Sequence, residues 1–241
     1  MLFTFLLDSV KRRQKLTTSM KKRFNNDFPY NDLTHLNESD TEHIVKKDSD
    51  TLEYVKSLSD DIFKAKKGER IKTVLTIGKD CIGKTFHAQK FTSEWARHET
   101  SITNRFFKFI SWKEQDAEIV FHLTSAQLSK SKKISLVGLL NDVFTETQQF
   151  VISDFEKYKL IIVLDGLDGL PLDFDDNVEP LRDVREVAPV SRLLSNLIMG
   201  NLLPSAHLWI LSRPLEAKEI PSKFINKQTE IRGKQLDVNA D

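Results

Sequence analysis

The chain has 241 residues, 39% hydrophobic and 29% charged, which is room for one large or two small domains around a substantial core. A formal net charge of +1 removes any bulk electrostatic case for nucleic acid, so no nucleic-acid partner is expected. The single cysteine, Cys81, excludes an internal disulfide, and no apolar run approaches the roughly 18 residues of a transmembrane helix.

In chain order, Leu2 to Leu7 is apolar but short, with no basic residues before it and Asp8 soon after, so it reads poorly as a signal peptide. The expected address is the cytoplasm. Residues 1–30 carry a basic cluster, Lys11, Arg12, Arg13, Lys15, Lys21, Lys22 and Arg23. A solvated, flexible arm is favoured there over peripheral membrane contact through residues 11–23. Residues 31–63 turn acidic and offer only a thin apolar face, which suggests a small, helical or partly disordered segment packed on the next domain.

From Ile71 the character changes. Ile71 to Ile77 is rich in β-branched residues and predicts a strand, and Thr85 to Arg97 predicts a helix. An aromatic stretch, Arg105 to Trp112, is strand-like, as is Glu118 to Thr124. Leu136, Leu139, Leu140, Val143 and Phe144 recur at helical spacing, and Phe150 extends the pattern. Tyr158 to Leu164 is, apart from Lys159, the continuous apolar run of a strand covered on both faces. A proline-containing acidic loop follows, then a helical pattern through Val190, Leu193, Leu194, Leu197 and Ile198, then a strand from Ala206 to Leu211. Strands alternating with helices of this length predict an α/β fold with a mainly parallel central sheet.

Between the first strand and its helix lies Gly78-Lys79-Asp80-Cys81-Ile82-Gly83-Lys84-Thr85. A triphosphate needs many donors at close range, and glycines let main-chain N–H groups turn inward around it. Lys84 then reaches the phosphates, Thr85 ligates Mg²⁺, and the helix N-terminus adds partial positive charge. In an open parallel sheet ligands sit beyond the carboxyl ends of the strands. Two more strand ends carry chemistry. Asp165 closes an apolar strand and is the metal carboxylate; Asp168 either supports hydrolysis or is a turn residue. Arg213 either senses the terminal phosphate or is a surface arginine in a turn. His87, His122 and His207 lack a metal-ligand spacing and read as surface or core histidines.

With these motifs in place the chain resembles the NACHT module of NOD-like receptors, a STAND-class P-loop NTPase. The resemblance rests on Gly78 to Thr85, Ile161 to Asp168, Gly200 to Ala206 and Leu211 to Pro214, and it covers residues 64–233. It implies a P-loop NTPase three-layer sandwich, ATP or ADP held with Mg²⁺, slow or no hydrolysis, and innate immune signalling. It also implies homo- or hetero-oligomers with other NACHT proteins or adaptors, of the inflammasome kind. Residues 31–63 resemble the NACHT-associated segment of the fish-type receptors. Past Gly233, residues 234–241 form a tail where such receptors continue into winged-helix and leucine-rich-repeat domains, so a fragment, isoform or reduced product is expected. Asp80 and Cys81 replace the small residues usual in the loop. Without the downstream domains, the alternative is a non-catalytic interaction module that binds other receptors or adaptors through a NACHT fold. A metabolic P-loop kinase is disfavoured by the lack of a lid with paired arginines.

Overall fold

A computed structural model of the chain describes residues 2–27, 41–47, 51–55, 62–63, 71–97, 117–130, 133–149, 155, 158–167, 169–175 and 179–233. Helix α1 (Leu2–Asp27) is followed by strands β1 (Thr41–Lys47), β2 (Thr51–Val55) and β3 (Thr73–Gly78), then by helix α2 (Lys84–Arg97). Next come β4 (Ile119–Thr124), α3 (Ser125–Leu128), β5 (Lys133–Ile134), α4 (Leu136–Val143) and β6 (Leu160–Asp165). The chain continues through β7 (Ala188–Pro189), α5 (Val190–Ile198), β8 (His207–Ser212) and β9 (Lys227–Gly233). The aromatic stretch 105–112, expected to be a strand, lies outside the described residues, as do the link at 64–70 and the tail at 234–241.

The main sheet has the order β2-β1-β9-β3-β8-β6-β4. Its five strands from β9 to β4 are mutually parallel, while β1 runs antiparallel to β9 and β2 antiparallel to β1. Every residue of β6 and β8 is buried, as are the first five of β4, so side chains on both faces of these strands are covered. This is the mainly parallel α/β sheet expected from the alternating pattern. The helices fit their sequences equally directly. On α2, His87, Phe91 and Trp95 form one buried row and Ala88, Thr92 and Ala96 the next, each at i,i+4 spacing. Ser135 caps α4 by accepting a hydrogen bond from the Gly138 amide at 3.0 Å, and Gly200, at φ 80°, follows the end of α5.

The N-terminal segment takes the helical form over Leu2–Asp27. Leu16, Met20 and Phe24, spaced four apart on α1, are all at most 2% exposed. The cations between them are accommodated by the surface they cross. The guanidinium of Arg13 lies over Tyr158 and pairs with Glu118 at 3.0 Å; that of Arg23 lies over Phe144 and pairs with Glu146 at 3.1 Å. Long basic side chains thus cover apolar surface with their stems and keep their charge in partnership. The described residues of the acidic segment, expected to be helical or partly disordered, include two strands: β1 and β2 add a hairpin to the open side of β9.

Lys21 shows the cost of this arrangement. Its ammonium sits 5.2 Å from the centre of the Trp95 ring, and burial lowers its pKa from 10.5 to about 8. Between those values the unfolded chain binds more protons than the folded one, so this residue makes stability rise with pH across the window. Below it the folded state carries the full cost of a half-buried ammonium. Lys21→Met is expected to raise the melting temperature at pH 7 and to make less difference at pH 10. Thermal melts of both proteins at the two pH values check it; an equal shift at both would contradict the assignment.

Candidate functional site

The phosphate loop joins β3 to α2 as the sequence predicts. Gly83 takes φ 94°, a conformation natural to glycine, and a side chain added there would meet nothing within 4 Å, so open space lies beside it. Cys81 adopts φ 58°, where a Cβ is disfavoured by about 1–2 kcal/mol, so the departure from a small residue falls on a position that wants glycine. At the far end of the loop the His87 amide donates to the Gly83 carbonyl at 3.1 Å and closes the first turn of α2.

Lys84 and Thr85 open that helix, and both side chains point to chemistry. The Lys84 ammonium donates to the carbonyls of Gly78 and Lys79, at 2.8 and 2.7 Å, so it is held over its own loop with one N–H to spare. The Thr85 hydroxyl donates to Asp165 Oδ1 at 3.0 Å, across 80 positions of sequence. Asp165 ends β6 and is 7% exposed. β6 is not adjacent to β3; β8 lies between them, and its Ser212 pairs with Ile77, the residue before Gly78. Arg213, next after Ser212, therefore leaves the sheet edge beside the start of the loop. Sheet order alone brings the loop, Asp165 and Arg213 to one edge.

His122 is the site residue that the sequence reading missed. It lies on β4, 4% exposed, with Nε2 3.2 Å from Asp165 Oδ2. One carboxylate oxygen thus faces Thr85 and the other His122, which fixes its orientation. The pairing of Thr124 with Asp165 at the strand ends makes this neighbour unavoidable, but it is visible only once β4 and β6 are known to be adjacent. Asp168 lies outside the described residues.

Arg213 is held by two carboxylates. One terminal nitrogen lies 3.6 Å from Asp80 Oδ2 in the loop, and the other donates to Glu216 Oε1. A main-chain N–H, the Arg213 guanidinium and the positive charge of Lys84 hold the Glu216 carboxyl below its usual range, against the opposing effect of burial. Glu216 is therefore ionised at neutral pH, and Lys84, Asp80, Arg213 and Glu216 form one charged group around the loop.

These residues fit magnesium and polyphosphate. Among the described residues no three His, Cys, Asp or Glu side chains cluster as a self-sufficient metal cage. What is present is a hydroxyl and a carboxylate in contact, the sparse oxygen set of a Mg²⁺ that takes its other ligands from phosphate and water. No helix among the described residues is long and apolar enough to cross a membrane.

A glycine-bounded loop between strand and helix, with a carboxylate at the end of the strand next but one in the sheet, defines a P-loop NTPase-type nucleotide-binding fold. More particularly, the NACHT domain family model matches residues 72–236, and the chain belongs to that family. It is similar to the human NLR family CARD domain-containing protein 3, with 31% identity over 161 residues, 66% of this chain and 14% of that protein. Similarity extends to the rat NACHT, LRR and PYD domains-containing protein 6, at 29% over 168 residues, 69% of this chain and 18% of that one. For the Bos taurus NACHT, LRR and PYD domains-containing protein 9 the identity is 27% over 144 residues, 59% and 13% of the two chains. The chain spans less than a fifth of the length of these curated relatives.

Proposed function

We propose that the chain is the ATP- or ADP-binding switch module of a NOD-like-receptor type protein, acting in innate immune signalling with slow hydrolysis or none. The observation that carries this reading is the contact of Thr85 with Asp165 beneath a lysine folded over a glycine-bounded loop. Lys84 and the main-chain N–H groups of residues 78–85 bind the phosphates, with the α2 N-terminus adding its partial charge. Thr85 and Asp165 hold Mg²⁺, and His122 keeps the Asp165 carboxylate turned toward them. The metal, when bound, neutralises phosphate charge. Asp168 supports what hydrolysis there is, and Arg213 meets the terminal phosphate. Assembly with other NACHT proteins or adaptors is the output such a switch would control.

Identification of the nucleotide that co-purifies with the folded chain tests the reading directly. A chain that is empty, and stays empty in millimolar Mg-ATP and in millimolar Mg-ADP, overturns it. Metal dependence tests the assignment of Asp165. Chelation of Mg²⁺ is expected to weaken nucleotide binding to the wild type at least tenfold, and to change little in Asp165→Asn, measured by titration calorimetry. A variant that keeps the full response to chelation places the metal elsewhere.

A further inference from the structure

The carboxylates of Asp80 and Glu216 have no part in gripping phosphate, yet they stand beside the site. Asp80 is in the loop itself, and Glu216 lies one turn after the Arg213 that leaves β8 next to Gly78. Both engage the same guanidinium from different directions, and Glu216 also feels the charge of Lys84. The side chain of Glu216 is 22% exposed, so its charge is only partly screened by water, whereas that of Asp80 is 70% exposed. We propose that Asp80 and Glu216 set the number of phosphates the site accepts, by occupying Arg213 and placing two negative charges where a terminal phosphate would otherwise meet a free cation.

The consequence is selective for phosphate count. A terminal phosphate must displace carboxylates from Arg213 and settle among them, at separations where like charges repel strongly and the protein screens less than water. A diphosphate ends before it requires that exchange and is held by the loop amides, Lys84 and the metal pair alone. The site is thereby tuned to a nucleoside diphosphate over the corresponding triphosphate. This rests on the nucleotide-binding reading of the loop and adds to it the class of ligand preferred.

The test is titration calorimetry of the full chain with ADP and with a non-hydrolysable ATP analogue, both with Mg²⁺. Wild type, Asp80→Asn, Glu216→Gln and the double variant are compared. Wild type is expected to favour the diphosphate. Each neutralised carboxylate is expected to move the ratio toward the triphosphate by about tenfold for Glu216 and less for the better screened Asp80. The exposed Asp80→Asn leaves the fold unburdened, so its smaller shift keeps the test valid should the Glu216 variant misfold. A wild type that prefers the triphosphate, or a ratio unmoved in the folded variants while both ligands bind, overturns this inference and leaves the nucleotide reading standing. A wild type that binds neither removes both.

Discussion

Lys84→Ala is expected to abolish the rise in stability that Mg-nucleotide gives the wild-type chain while leaving the unliganded fold nearly intact. The two effects separate because the Lys84 side chain is not what builds the loop. Its ammonium caps two loop carbonyls, Gly78 O and Lys79 O, and their loss of a donor costs about 1 kcal/mol because water can reach the loop. The turn itself is closed by main chain, from the His87 amide to the Gly83 carbonyl. Removing a charged donor from bound phosphate weakens binding by roughly 3–5 kcal/mol, which is more than a hundredfold. At a nucleotide concentration a hundred times the wild-type Kd, the wild type gains about 2.7 kcal/mol and the variant about 0.4 kcal/mol or less. For a domain of this size the first figure is a shift of about 5–10 °C in Tm, and the second is close to the noise. A thermal melt with and without Mg-ATP reads both numbers. A variant that melts as the wild type does in ligand, shift included, would take Lys84 off the phosphates.

What the sequence made legible and what it hid divide along a physical line. The loop, the apolar run into Asp165 and the strand ending at Ser212 are local signals written in consecutive residues, and in the two strands every residue is buried. β9 reads Lys227 to Gly233 with only Thr229 and Ile231 inside, so its strand character comes from pairing with β3 and β1 and not from its own apolarity. The β1–β2 hairpin is hidden for the same reason. Helix α1 was obscured by its charge: the spacing of Leu16, Met20 and Phe24 was present, but seven cations around it suggested solvent. The aromatic rings that receive three of those cations belong to α2, to the end of α4 and to the start of β6, none of which adjoins α1 in sequence. His122 and Glu216 belong to a further category. Each is an unremarkable residue that becomes part of the site because another strand end or side chain is brought to it by the sheet.

The largest loss of stability is expected from Trp209→Ala, and the reason lies under the phosphate loop. Trp209 is fully buried at the middle of β8, paired in register with Val74 of β3 on one side and Val163 of β6 on the other. Its ring meets Phe91 of α2 edge-on at 5.3 Å, so it joins the sheet to the helix that carries Lys84. Its indole N–H donates to the Thr76 hydroxyl oxygen at 2.8 Å, and that hydroxyl is 2.7 Å from the Thr229 hydroxyl. A side-chain chain thus crosses β8, β3 and β9 below the ends that bear Arg213 and the loop. Truncation to alanine removes a large apolar surface and leaves a cavity, at a cost of about 3–5 kcal/mol, a large part of what a domain has. Thr76→Val tests the polar share separately: it keeps the volume but strands the indole N–H in the core, which costs about 1–3 kcal/mol. Trp209→Phe removes that donor while Thr76 keeps Thr229, and falls at or below the Thr76→Val value. Urea denaturation orders the three. Ring burial dominates if alanine is the most damaging, and a Thr76→Val loss equal to that of Trp209→Ala would instead assign the stability of this sheet to its buried hydroxyl chain.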